Sequence, residues 1–207
     1  MYKLYDFLPS GNGYKVRLLL TLLDIPFEII ELNILERETR TPEFLAKNPN
    51  GKIPLLEIAP DKFLSESNAI LYYLARDTEY FPEDKYSQAQ VMQWLFFEQF
   101  SHEPNLATAR YWISVLKQPE KYAEQLKQKQ KLGNAALQVM EQHLSDRHYF
   151  VAEKYTIADI CLYGYTHVAE EGGFDLCQYP AIQAWLQRVS DRPQHILITD
   201  NSISSKS

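Results

Sequence analysis

The sequence predicts an α/β domain followed by an all-helical domain. Three observations carry that prediction. Over residues 1–78, short runs suited to strands alternate with runs suited to helices. Across residues 88–207 the apolar residues recur only at helical spacing. Between the two, residues 79–87 lie in an acidic stretch that contains Pro82 and has no apolar period, the composition of a linker. The chain has 207 residues, enough for one large domain or two small ones, and its 45% hydrophobic content suffices to bury a core.

Each element has its own signal. Residues 2–5 alternate as a short strand. Residues 6–13 read as a loop, punctuated by Pro9, Gly11 and Gly13. From Tyr14 onward, Val16, Leu18, Leu19, Leu20, Leu22 and Leu23 predict a helix that is apolar around much of its girth and therefore deeply packed. Ile25-Pro26 ends it, and residues 27–32 read as a second strand. Residues 35–40 form a charged loop. Thr41 caps a short helix with Pro42 at its first position and Glu43 in its first turn. Pro54 cannot donate to a ladder, so it belongs at the first residue of a third strand that buries Leu55 and Leu56. Residues 62–64 form a fourth strand. Ser65 reads as the N-cap of a helix with Ala69, Ile70, Tyr73 and Leu74 on one face. Past the linker, residues 89–117 predict a long helix bent by Pro104. Residues 120–143 predict another, carrying Leu126, Leu132, Leu137 and Met140. Thr156-Ile157-Ala158-Asp159 has the form of a capping box with Asp for Glu, and opens a helix through Ile160, Leu162, Tyr163 and Val168. Tyr179-Pro180 starts a further helix through Trp185, Leu186 and Val189. The polar tail, residues 199–207, is expected to be disordered.

Charge and composition exclude several classes of function. The net charge is −6, and residues 1–80 hold nine basic against twelve acidic side chains, so neither half is basic. Nucleic acid and an anionic membrane surface are therefore not expected partners. No window reaches the roughly 18 apolar residues of a membrane span. Residues 1–6 lack the apolar core of a signal peptide. Cys161 and Cys177 have no metal or redox spacing, and His102-Glu103 is not a zinc motif, because Leu106 stands four after His102. No metal is expected, and a reducing cytoplasm is the expected compartment.

The stretch 48–68 carries the recognition chemistry. Asn48-Pro49-Asn50-Gly51-Lys52-Ile53-Pro54 is a turn leading into a strand, with Gly51 where the backbone needs freedom. The X-Pro bond at Pro54 is a fitting place for the cis isomer. That isomer turns the N–H and C=O of Ile53 outward, where an extended peptide can add as a strand. Close by, a helix N-terminus presents Glu66, the Ser67 hydroxyl and free backbone N–H groups. Such a point binds a carboxylate through the N–H groups and an ammonium through Glu66. A backbone reader beside a zwitterion reader makes a site for a short peptide.

Asn-Pro-Asn-Gly-Lys-Ile-Pro followed by Glu66-Ser67-x-Ala69-Ile70 resembles the glutathione-binding half of the glutathione S-transferase superfamily. The resemblance covers the whole chain. It implies a thioredoxin-like first domain and an all-helical second domain, in which Thr156 and Asp159 match a structural helix-start motif. The first-domain loop, with Ser10, resembles that of bacterial and serine-type (theta/chi-like) members. The resemblance implies that Asn12, Arg40, Lys52, Ile53, Pro54, Glu66 and Ser67 contact glutathione. It further implies a two-fold homodimer, glutathione as co-substrate, no permanently bound cofactor, and a small hydrophobic electrophile as second substrate.

The chemistry should sit where the first strand delivers its loop to the first helix, because a helix N-terminus stabilises an anion. The loop reads Ser10-Gly11-Asn12-Gly13. It holds no cysteine, so the reactive thiol must come with the ligand. A free thiol of pKa near 8.5 is only about 3% ionised at pH 7. Lowering that pKa by about 2 units requires ~2.7 kcal/mol. One charge-assisted hydrogen bond from Ser10 and a helix terminus supply that much. Ser10 is thus the expected catalytic residue, as a donor to the thiolate and not as a nucleophile. A serine nucleophile needs a general base, and no histidine precedes His102. Gly13 departs from the Ser or Cys usual in serine-type members. Asn12 and Tyr5 remain alternatives, Tyr5 because tyrosine-type members use a tyrosine near the end of this strand.

The electrophile is expected against the long helix after the linker, at Phe97, Ser101, His102, Asn105 and Arg110. Three functions fit this pattern: a glutathione transferase of detoxification type, a glutathione-dependent disulfide reductase or peroxidase, and a non-catalytic glutathione-binding protein. The second draws on bacterial members with Thr-x-Asn-Gly in the loop, which Ser10-Gly11-Asn12-Gly13 resembles closely.

Overall fold

The computed structural model describes residues 1–200. They divide into two units: Met1–Arg76 joined by the described residues from Pro193 onward, and Asp77–Arg192.

The first unit is built on a four-stranded sheet of β1 (Tyr2–Asp6), β2 (Phe27–Glu31), β3 (Leu55–Ala59) and β4 (Lys62–Ser65), in the order β2-β1-β3-β4. β1 and β2 are parallel, so the chain crosses over through a helix, α1 (Gly11–Leu22). β3 runs antiparallel to both β1 and β4, with Leu56 opposite Leu4 and Leu55 opposite Ser65. Leu4, Leu55 and Leu56 are buried, as are all α1 residues from Gly13 to Leu20. The short helix α2 (Pro42–Lys47) is capped as its sequence predicts, Thr41 Oγ1 accepting the Phe44 N–H. α3 (Ser67–Ala75) packs against α1. This is the thioredoxin-like arrangement.

Four features of the first unit differ from the sequence-based expectation. α1 begins at Gly11, three residues before its apolar pattern, because Ser10 Oγ caps it by accepting the Gly13 N–H at 3.3 Å. The charged loop after β2 folds into two 3-10 turns, Ile34–Glu36 and Glu38–Arg40. Ser65 is not a helix cap: it pairs with Leu55 in the sheet ladder, and the cap position falls on Glu66. The buried face of α3 is Ile70, Leu71, Leu74 and Ala75, while Ala69 and Tyr73 are exposed.

The chain beyond Arg192 lies on α1. Ile196 and Ile198 are buried there, and the Tyr14 hydroxyl donates to the Ile196 carbonyl at 2.8 Å. Thr199 and Asp200, expected in a disordered tail, are placed, and the Asp200 carbonyl accepts from Arg17. The remainder of that expected tail, residues 201–207, lies outside the described residues.

The second unit is all-helical. α4 (Lys85–Phe97) starts inside the expected linker, because Asp84 Oδ1 caps it by accepting the Ser87 N–H. The helical path then runs through a π turn, Glu98–His102, into α5 (Glu103–Arg110) and a second π turn, Tyr111–Val115. Pro104 stands in the first turn of α5, where its missing N–H and fixed φ are tolerated. The wider turn before it accommodates the break. α6 (Ala123–Leu144) follows the 3-10 turn Glu120–Tyr122. α7 (Ile157–Thr166) carries the full capping box of Thr156 and Asp159. Asp159 is completely buried and also accepts from the Phe150 N–H and from Trp185 Nε1 of α8 (Pro180–Ser190). The cap therefore ties three segments of the unit together. Among the described residues no helix is long and apolar enough to cross a membrane.

Candidate functional site

The loop between β1 and α1 is shaped by a buried acid. Asp6, the last residue of β1, is fully buried and accepts the Phe7 N–H at 2.7 Å and Arg17 Nε at 2.9 Å. A Cβ added to Gly13 would overlap the Asp6 carboxylate. The first turn of α1 thus rests directly on Asp6, and residue 13 has no space for the serine or cysteine that serine-type loops carry. Burial pushes the Asp6 carboxyl up to about 7, against the opposing pull of Arg17. Ser10 closes the loop, its N–H donating to the Phe7 carbonyl at 2.7 Å and its Oγ accepting from Gly13. The Ser10 hydroxyl proton is not engaged by that cap, so Ser10 can still donate outward.

Asn12 brings the starts of two helices together. Its Oδ1 accepts from Lys15 Nζ at 2.8 Å and from Ser67 Oγ at 3.1 Å. Two donors on one carbonyl oxygen fix the amide and direct its N–H donors elsewhere. Lys15, on the first turns of α1, is wholly buried, and its amine donates to Asn12. Glu66 stands beside Ser67 with φ +68° and ψ 112°, a backbone conformation that costs a residue with a side chain on the order of 1–3 kcal/mol. Its carbonyl accepts the first bond of α3, from the Ile70 N–H at 2.9 Å, and its side chain is exposed. The N–H groups of the first turn of α3 have no carbonyl of their own helix to reach and point toward the same end. A carboxylate, a hydroxyl and two helix N-termini meet here.

The turn at 48–54 is braced from within. Asn48 is buried, its Oδ1 accepting the Asn50 N–H and its Nδ2 donating to the Lys52 carbonyl at 2.8 Å. Gly51 has φ +62°, and a Cβ there would meet Arg40 and the Thr39 carbonyl. Arg40 donates to the Asn50 carbonyl at 3.0 Å, so it lies across this turn with an exposed side chain. Lys52 is exposed. The Ile53-Pro54 bond is cis. Pairing of β3 with β1 stops at Leu55, so Ile53 lies outside the ladder.

Tyr5 sits elsewhere. Its hydroxyl donates to Glu57 Oε2 at 3.0 Å, and its ring stands edge-on to Phe44 and Phe63. Burial and that carboxylate push its pKa up to about 12. In the helical unit, Phe97 and Ser101 are half-buried, whereas His102, Asn105 and Arg110 are buried. His102 Nε2 is 2.9 Å from Thr166 Oγ1, Asn105 Nδ2 donates to the Ser101 carbonyl, and Arg110 pairs with Glu171 at 2.7 Å. Cys161 is buried and Cys177 exposed. Among the described residues no group of three or more His, Cys, Asp and Glu could hold a metal ion.

Three residues join the site without a motif to announce them: Asp6, Lys15 and Arg17. Their signal is two cations interrupting the apolar run of α1, with an acid at the end of the preceding strand.

Residues 1–76 match the family model "Glutathione S-transferase, N-terminal domain", and residues 88–193 match "Glutathione S-transferase, C-terminal domain". A crystal structure of a glutathione S-transferase from Pseudomonas fluorescens is similar, at 51% identity and a TM-score of 0.94, over 96% of this chain and 99% of that one. The disulfide-bond oxidoreductase YfcG of Escherichia coli is 30% identical over 93% of this chain and 92% of its own length. Ure2p in complex with glutathione superposes with a TM-score of 0.82 at 25% identity, over 93% of this chain and 90% of that one. The chain belongs to the glutathione S-transferase family.

Proposed function

We propose that this chain is a serine-type glutathione transferase that conjugates glutathione to small hydrophobic electrophiles, acting as a homodimer in the cytoplasm without a permanent cofactor. The observation that carries the proposal is the junction of Asn12 with Ser67, which joins the N-termini of α1 and α3 beside Ser10. In this reading Ile53 pairs through its backbone with the cysteinyl unit, with Pro54 holding the turn. Glu66 takes the γ-glutamyl ammonium, and Ser67 with the α3 N–H groups takes the carboxylate. Arg40 and Lys52 offer charge to the other carboxylate end. The cysteinyl sulfur then lies at the start of α1, where Ser10 donates to it and Asn12 supplies a second N–H donor. The thiolate attacks an electrophilic carbon and a C–S bond forms; a chloro-nitroaromatic then releases chloride with the bonding pair, whereas an isothiocyanate loses no group and its nitrogen takes up the displaced π pair and a proton from water. Phe97 and Ser101 are the partly exposed members of the set expected to meet the electrophile.

A second reading has support of its own. The loop Ser10-Gly11-Asn12-Gly13 and the similarity to a disulfide-bond oxidoreductase favour disulfide reduction. There the same thiolate attacks sulfur in a glutathione-capped disulfide, and oxidised glutathione leaves as the other thiolate departs. The two readings share one site and differ in the second substrate. Parallel assays with a chloro-nitroaromatic, an isothiocyanate and a glutathione-capped disulfide decide between them. Turnover of either electrophile supports conjugation. Turnover of the disulfide alone supports reduction, and turnover of none, with glutathione bound, identifies a binding protein.

A further inference from the structure

We propose that the segment following the helical unit is a strap that fixes the Ser10 loop, with Arg17 as the positioning residue through which it acts. The proposal rests on the glutathione site described above.

Arg17 is completely buried, and its guanidinium bonds to four separate places. Nε donates to Asp6 Oδ2 at 2.9 Å, at the end of β1. One terminal nitrogen donates to the Leu8 carbonyl at 2.7 Å, within the loop that leads to Ser10. The other donates to the Ile198 carbonyl at 3.1 Å and the Asp200 carbonyl at 3.4 Å, both on the strap. A planar fork is suited to hold acceptors in fixed directions, which an ammonium cannot do. The strap is anchored independently by the buried side chains of Ile196 and Ile198 and by the Tyr14 hydroxyl on the Ile196 carbonyl.

The connection to the site is short. Asp6 bears on Gly13, Leu8 stands two residues before Ser10, and the Ser10 N–H closes back on the Phe7 carbonyl. Removal of the strap takes away two acceptors and part of the cover of a guanidinium that is otherwise wholly buried, and the freed donors then turn toward water. Arg17 cannot move without carrying Asp6 and Leu8, and those two set where Ser10 and the first turn of α1 stand. A hydrogen bond to a thiolate tolerates about 0.5 Å of such displacement. The strap therefore acts on ionisation of the bound thiol more than on the fold of the unit.

The test compares the full chain with one ending at Gln194, which lacks the strap, and one ending at Asp200, which retains it. Three measurements are made: glutathione affinity by calorimetry, the ultraviolet titration of bound thiolate, and amide hydrogen exchange of residues 7–14 without ligand. The chain ending at Gln194 is expected to bind glutathione with an affinity close to that of the full chain, because the Ser10 loop acts on ionisation more than on binding. Its thiolate should titrate at higher pH, and residues 7–14 should exchange faster. The chain ending at Asp200 should match the full chain. Equal loss in both truncated chains overturns the proposal, and so does a folded chain ending at Gln194 with unchanged titration and exchange. If that chain does not fold, the full-length variants Arg17→Lys and Tyr14→Phe replace it. A lowered melting temperature in these variants with the titration and exchange of the parent also overturns it. A parent that binds no glutathione defeats the functional reading, whereas the exchange comparison decides the strap by itself.

Discussion

The Asp6 carboxylate occupies the space that a side chain on Gly13 would need. The consequence reaches both stability and chemistry. Gly13→Ala forces Asp6 away from its Phe7 and Arg17 partners or shifts the first turn of α1. Overpacking of this kind costs about 1–3 kcal/mol. Urea denaturation should show a lowered midpoint, and glutathione affinity should fall with it. A variant as stable as the parent would mean that Asp6 yields without loss.

The same carboxylate makes the protein's stability depend on pH. Burial is the largest influence on both Asp6, raised to about 7, and Asp159, raised to about 6. An unfolded Asp titrates near 3.9, so between about pH 4 and 7 the folded chain holds more protons than the unfolded one. The contribution of these two groups is complete below about pH 4 and is lost as pH rises through 6 and 7. Urea midpoints measured from pH 5 to 8 should therefore contain a component that declines with rising pH. Asp159→Asn should flatten that decline, because the amide does not titrate, even though it lowers stability at every pH by disturbing four bonded donors. A slope identical to that of the parent would remove Asp159 as its source.

Much of this architecture was legible because its signals are local. Thr41 with Pro42, Thr156 with Asp159, and the Asn48–Pro54 motif each declare an element within a few residues. The start of α1 was not legible, because Gly11 and Gly13 carry no apolar period and the cap is made by Ser10 alone. Ser65 has the chemistry of a cap, yet its pairing with Leu55 claims it for the sheet, and only tertiary structure decides between the two. The strap is a contact between residues about 180 apart, and no local pattern reports that. Arg17 was visible as a cation in an apolar helix, but its four acceptors come from segments that the fold alone brings together.

The homodimer proposal has a direct check. Tyr72 and Tyr73 on α3 are 38% and 43% exposed, and in the helical unit Phe96 and Phe100 are 67% and 87% exposed. Each unit thus carries exposed aromatic side chains of the kind that a second copy can cover. Light scattering at micromolar concentration should return twice the chain mass. Phe100→Asp should shift the mass toward one chain without altering the helical content. A parent that scatters as a single chain refutes the dimer.

Glu66 tests the ligand's orientation. Glu66→Ala removes the acceptor for the γ-glutamyl ammonium and should weaken glutathione by about 1.5–3 kcal/mol, the range for a bond to a charged group. The side chain is exposed and makes no cap bond, so the melting temperature should hardly change. S-methylglutathione should lose the same amount, because the effect does not involve sulfur. Equal affinity of variant and parent for both ligands would place the γ-glutamyl end elsewhere.

Ser10 has two functions that must be separated before its part in catalysis is measured. Its Oγ caps α1, and the same hydroxyl is the proposed donor to the thiolate. Ser10→Ala removes both, with a cap loss of about 0.5–2 kcal/mol. Ser10→Gly removes the hydroxyl but gives up only a few tenths of a kcal/mol in capping, since glycine is itself a good N-cap. The glycine variant therefore reports on the thiolate with the helix nearly intact. Loss of one charge-assisted bond of about 1.5–3 kcal/mol should raise the pKa of bound thiol by roughly 1–2 units. Turnover near neutrality should drop in proportion, while glutathione affinity stays close to that of the parent. Asn12→Ala provides the contrast: it removes the amide donor and also the acceptor shared by Lys15 and Ser67, so it should weaken binding as well as ionisation. If the thiolate of Ser10→Gly titrates like the parent's and that of Asn12→Ala titrates higher, Asn12 is the activating group. Ser10 then serves this chain as a helix cap.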